Sequence, residues 1–138
     1  MSLTRLLGSS LDAIAADKGS IAKLLAAAER NIADAQVSGQ SAETRFDAAY
    51  KAIMQTAMAA LNANGYRTLT SRPGHHRTAI QALRLSVGLA QTDVIVLDAL
   101  RKQRNLADYS GELVAEASAA KCLRSARSHW RMSASGWR

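Results

Sequence analysis

The residues with the most chemical potential lie in Arg101-Lys102-Gln103-Arg104-Asn105-Leu106-Ala107-Asp108-Tyr109-Ser110-Gly111. Leu97, Leu100 and Arg104 fall at i, i+3 and i+7, so a helix through them carries a guanidinium on its own apolar stripe. A cation there is costly unless it is paired or opens onto a cleft where it can meet an anion. Asp108 lies one helical turn further on and can close a structural ion pair with Arg104. The Tyr109 ring can pack at the helix end while its hydroxyl finds a partner, or it can hydrogen-bond a phosphate held beside Arg104. Arg101 and Lys102 add positive charge just upstream.

Three further groups belong to this inventory. His75-His76-Arg77 opens an expected helix, whose first amide protons attract anions. Either His can act as a general acid or base near neutrality, or simply sit at the helix start. Adjacent His side chains point in different directions on a helix, and no Asp or Glu lies near in sequence, so no metal is expected. Lys121, Arg124, Arg127 and Arg131 follow a 3, 3, 4 spacing that puts them on one helix face. That face can track a phosphate backbone or be merely solvated. No Gly-rich phosphate loop, Ser-His-Asp set or paired-carboxylate motif stands out, and no cofactor is expected.

The elements that must position these residues read as helices. The spacing predicts a helix over 20–37, capped by Ser20, with Ile21, Leu24, Leu25, Ala28, Ile32 and Ala35 inward. A second, over 41–63, is capped by Ser41 and buries Phe46, Ala49, Tyr50, Ile53, Met54, Ala57 and Leu61. Asn64-Gly65 stops it, and a loop follows to Gly74. A third helix over 75–90 turns Ala79, Ile80, Leu83 and Val87 inward. A fourth over 92–108 starts at a Thr92 cap. Its Val94-Ile95-Val96-Leu97 could pass for a strand, but no partner strand is apparent. A fifth over 111–128 offers Leu113, Val114, Ala117, Ala120 and Leu123 to the core. The expected layout is a lead-in at 1–19, a helical domain at 20–128 and a flexible basic tail at 129–138. The expected fold is all-α, an up-and-down four-helix bundle with one or two additional short helices.

Bulk properties limit the function classes. The chain has 138 residues and a formal net charge of +7. Residues 48–92 and 117–138 each carry five bases and no acid, so two basic segments flank the Arg104 stretch. Such charge favours anionic partners, nucleic acid among them. Cys122 stands alone, without disulfide framework or zinc spacing, as expected of a cytoplasmic protein. The start does not read as a signal peptide, since Asp12 and Asp17 interrupt it, and no apolar run is long enough to span a bilayer.

The helical layout, together with Arg104-Asn105 near the end of the fourth helix and Ala107-Asp108-Tyr109 after it, resembles the HEPN superfamily of small α-helical prokaryotic defence and toxin–antitoxin domains. The family's mark is an Arg followed by a polar residue, then a His a few residues later. Arg104 matches the Arg and Asn105 the polar residue. Gly65-Tyr66-Arg67 and Gly74-His75-His76 are also similar to small members. The resemblance spans about residues 20–128. It implies a metal-independent ribonuclease that dimerises so that two motifs meet in a basic cleft. Arg104 would hold the scissile phosphate and Asn105 would orient it, with Asp108 and Tyr109 beside them. His75, His76, Arg77, Arg101, Lys102, Lys121, Arg124, Arg127 and Arg131 would contact RNA. Tyr109 stands where the His belongs, so the expectation is RNA binding with weak or absent cleavage. The implied partners are a second copy, RNA, and a cognate antitoxin or nucleotidyltransferase-type protein. The alternative is a non-catalytic module for dimerisation or partner binding.

Overall fold

A computed structural model describes residues 3–8, 10–69, 74–111 and 113–137; at 109, 136 and 137 it describes the backbone alone. The described residues are mostly helical, with one small antiparallel sheet. A 3-10 turn at Leu3–Leu6 leads into β1 (Leu11–Ala13). Then come α1 (Lys18–Asp34), α2 (Ala42–Ala63), β2 (Tyr66–Thr68), α3 (His75–Gln81), α4 (Leu83–Ser86), α5 (Gln91–Ser110) and α6 (Glu116–Trp137).

α2 is the centre of the molecule. Its expected stripe is buried throughout, and Ala52, Thr56, Ala59 and Ala60 are buried as well. A helix with small residues on several faces admits neighbours on each. α1 and α6 pack most extensively against it, and α3, α4 and α5 cover the remaining side. Ser41 caps α2, its hydroxyl accepting from the Thr44 amide at 3.1 Å. α1 buries Ile21, Leu25, Ala28 and Ile32 as its period requires. Its cap, however, is Asp17, whose carboxylate accepts from the Gly19 and Ser20 amides. The expected cap, Ser20, sits in the first turn and donates its hydroxyl to Asp17. A carboxylate answers the unpaired amides and the helix dipole together.

The lead-in is joined to the core. Leu11 is fully buried, and β1 pairs with β2 in the register Leu11↔Thr68, Asp12↔Arg67 and Ala13↔Tyr66. A strand pair therefore exists where the sequence showed none, although Val94–Leu97 is helical as expected. Gly65 makes the corner, at φ 86, and a Cβ there would lie 3.3 Å from the Ile14 carbonyl oxygen. Gly65→Ala is expected to cost about 1–2 kcal/mol, from left-handed strain and that close approach, measurable as a lower urea midpoint.

Other helix boundaries shift. The 75–90 helix is two pieces, broken at Ala82. The second ends where Gly88, at φ 69, lets the Leu89 amide return to the Leu83 carbonyl. α5 starts at Gln91 after Ala90, without a side-chain cap, so Thr92 is not the cap. The last helix starts later than expected and continues to Trp137, so the expected tail is helical. Its buried face is Ala119, Cys122, Ala126, His129, Ser133 and Ala134; Leu113 is 92% exposed, and Ala117 and Ala120 are exposed. Trp130 Nε1 donates to the Leu25 carbonyl at 2.9 Å and ties α6 to α1. No helix among the described residues is long and apolar enough to cross a membrane.

Candidate functional site

Three helices meet around Tyr50. α2 carries it on the buried stripe, 2% exposed. α3 brings His76, whose Nδ1 lies 3.2 Å from Tyr50 Oη. α5 brings Arg104, whose guanidinium carbon stands 5.0 Å from the Tyr50 ring centre. The cation is half-buried and drawn to the ring's negative face. His75 stacks edge-on against His76, ring centres 4.7 Å apart.

The electrostatics follow from burial and charge. Burial pushes the Tyr50 phenol up to about 12, against the opposing pull of Arg104 and Arg101. Burial also lowers His76 below the ordinary imidazole value, and His75, Arg104 and Arg101 lower it further. At neutral pH the site thus holds a protonated phenol, a neutral imidazole and fixed guanidinium charge. With the phenol donating, Nδ1 accepts and the imidazole proton is on Nε2. The His76 titration midpoint, followed by NMR, is expected below 6.5, and Arg104→Ala is expected to raise it by removing a positive neighbour.

Acids frame the cluster. Arg104 pairs with Asp108 at 3.8 Å, as the i, i+4 spacing predicts, and both groups remain partly exposed. Burial raises the Asp47 carboxyl, Arg104 lowers it, Asp108 and Glu43 raise it again, and the net direction is up. Arg101 donates to Asp98 at 2.8 Å, and Lys102 reaches the same carboxylate at 3.6 Å. Burial raises Asp98, but the Arg101 hydrogen bond and the two positive charges outweigh it and hold the carboxyl low.

Of the expected site residues, His75, His76, Arg101, Arg104 and Asp108 therefore converge. Lys102 joins through Asp98. Asn105 is exposed on another face of α5, and Arg77 is exposed on α3. The side chain of Tyr109 lies outside the described residues. Lys121, Arg124, Arg127 and Arg131 belong to α6. Among the described residues no ion pair, hydrogen bond or ring contact links them to Tyr50, His76 or Arg104. Arg124 lines a cavity with Asp93 and His129, whereas Arg127 lines one beside the α1–α2 turn. Arg124 and Arg127 thus line different cavities.

Tyr50 is the residue that reading for function missed. It is the only phenol on an otherwise apolar stripe, and a buried hydroxyl needs a partner; that was the available signal. Among the described residues no group of three His, Cys, Asp or Glu side chains is placed to hold a metal ion. No protein-family model, curated protein or solved structure matches this chain.

Proposed function

We propose that this is a HEPN-like protein, its long helices forming an up-and-down four-helix bundle, that binds RNA by a phosphate placed beside Arg104. The observation supporting this most is the convergence of His76, Tyr50 and Arg104 from three separate helices. A phosphate there meets a forked guanidinium that its loose pairing with Asp108 leaves half-exposed. His76 Nε2–H and His75 supply further polar contacts. Metal-independent cleavage needs a base for the attacking hydroxyl and an acid for the leaving oxygen. A phenol near 12 is no base at neutral pH. His76, with Nδ1 engaged by Tyr50 and its proton on Nε2, is a donor rather than a base. Cleavage is accordingly weak or absent, and binding is the main activity. The setting is a cytoplasmic toxin–antitoxin or defence system, with a second copy and a cognate antitoxin or nucleotidyltransferase-type protein as partners.

The test is RNA binding and cleavage in EDTA across a salt series. Binding that weakens steeply with salt, with little cleavage, is the expected result; a salt slope below about one phosphate's worth overturns the reading. A second reading, a non-catalytic dimerisation module, draws support from α5, where Ile95 and Leu106 are 58% and 59% exposed. They share a helix face with Ala99 and Lys102. Light scattering on Ile95→Asp separates the two: loss of a dimer with RNA binding intact favours the second.

A further inference from the structure

We propose that a cleft between α3–α4 and α5 binds a small amphipathic carboxylate, an apolar body with one anionic head. The cavity there measures about 570 Å³. Small-molecule sites usually measure about 300–1,000 Å³. The lead-in contributes Leu6 to its wall, α4 contributes Leu85, and α5 contributes Val94, Ile95 and Ala99. Val94 is buried, whereas Leu85 and Ile95 are 37% and 58% exposed. Two large side chains from separate helices thus leave apolar surface open at the same cavity. Exposed apolar surface with a polar rim marks a place where an apolar group can be covered.

Charge decides the head. Arg84, Lys102 and Asp98 are the charged residues that line the cavity, two cations and one carboxylate. Two of the three are already matched. Asp98 accepts from Arg101 at 2.8 Å, and Lys102 stands 3.6 Å from the same carboxylate. Arg84 has no ion pair or hydrogen bond among the described residues. The cavity therefore presents one unmatched guanidinium beside an apolar wall. A guanidinium fork meets both oxygens of a single carboxylate. A phosphate dianion would bring a second charge that nothing left over in the cavity matches. An ammonium head would face Arg84 and Lys102 and be repelled. Thr78, Gln81 and Gln91 complete the lining with uncharged polar groups. Tyr50, His76 and Arg104 do not line this cavity, so the inference does not rest on the RNA reading. It does compete with a second copy of the chain for Ile95, and the experiment separates the two.

Hexanoate is a suitable probe, with 1-hexanol and hexylammonium as controls of equal chain length. Each is titrated onto the full chain at neutral pH and followed by the methyl NMR signals of Leu85, Val94 and Ile95. Saturable shifts are expected with hexanoate in the millimolar range, weaker ones with hexanol and the weakest with hexylammonium. Arg84→Gln should weaken hexanoate by about five-fold and leave hexanol unchanged. Ile95→Ala should weaken both. The ranking of the three probes on the wild-type chain tests the proposal without any variant. The absence of saturable shifts, hexanol or hexylammonium binding as tightly as hexanoate, or a hexanoate affinity unchanged in Arg84→Gln overturns the proposal. Shifts of the same methyl signals with protein concentration alone, unaffected by hexanoate, also overturn it and place a second copy on the cleft.

Discussion

Arg104→Ala is expected to weaken RNA binding by about 10- to 100-fold while the chain stays folded. The magnitude is that of a lost charge-assisted contact, about 1.5–3 kcal/mol. The structural cost is smaller. Arg104 and Asp108 stand 3.8 Å apart with both groups partly exposed, a pair worth roughly 0–1 kcal/mol. The contact with the Tyr50 ring adds about 0.5–1 kcal/mol at such a site. A stability loss of that size leaves a domain of this length folded. Filter binding across a salt series gives the readout: affinity should fall and the salt slope should drop by about one. Arg104→Lys should recover the slope but only part of the affinity, because an ammonium lacks the planar fork. Circular dichroism and light scattering on the same samples decide the alternative. If Arg104→Ala unfolds the chain or breaks a dimer, with no separate effect on RNA, Arg104 is a structural residue and the partner-binding reading gains.

The second large effect is on stability. Acidification from pH 6.5 to pH 4 is expected to cost about 3 kcal/mol through His129 alone. His129 is 2% exposed, and neither ring nitrogen has a hydrogen-bond partner among the described residues. Burial lowers its pKa from 6.5 to about 4. The Ile53 backbone pulls the other way, at a geometry too poor to count as a hydrogen bond. The imidazole is neutral in the folded chain, while in the unfolded chain it takes up a proton near 6.5. Above 6.5 neither state is protonated and the stability is intact. Between 6.5 and 4 the unfolded state gains the proton first, so stability falls as pH falls; below 4 both states carry it and the loss levels off. Urea midpoints from pH 4 to pH 7 for wild type and His129→Leu test this. The variant should lack the His129 share of the slope, leaving that of the carboxylates and His76. Parallel slopes in the two proteins would mean that His129 is hydrated.

Much of the scaffold is legible in local pattern. The stripes of α1 and α2, the Ser41 cap, the stop at Gly65 and the break at Gly111 involve residues within about one turn of each other, so short-range rules find them. The failures have physical causes too. β1 and β2 are three residues each, too short to show alternation. The buried face of α6 differs from the expected one because it is made of Ala, Cys, His and Ser rather than large apolar residues. Leu113 is apolar, yet it precedes α6 and is exposed. The site was half legible: Arg104 and Asp108 pair within one helix as their spacing demands, and the two His residues were suspected without a destination.

The sequence by itself determined that the chain is mostly helical, where α1 and α2 turn their apolar faces, and that a guanidinium interrupts the stripe of α5. Tertiary structure alone decided what that guanidinium meets beyond Asp108. Tyr50 and His76 are 26 positions apart, and β1 reaches β2 across some 55, so no local periodicity couples them. They come together because α2, apolar over most of its surface, must be covered on most sides, and the helices that cover it bring their polar residues to its edges.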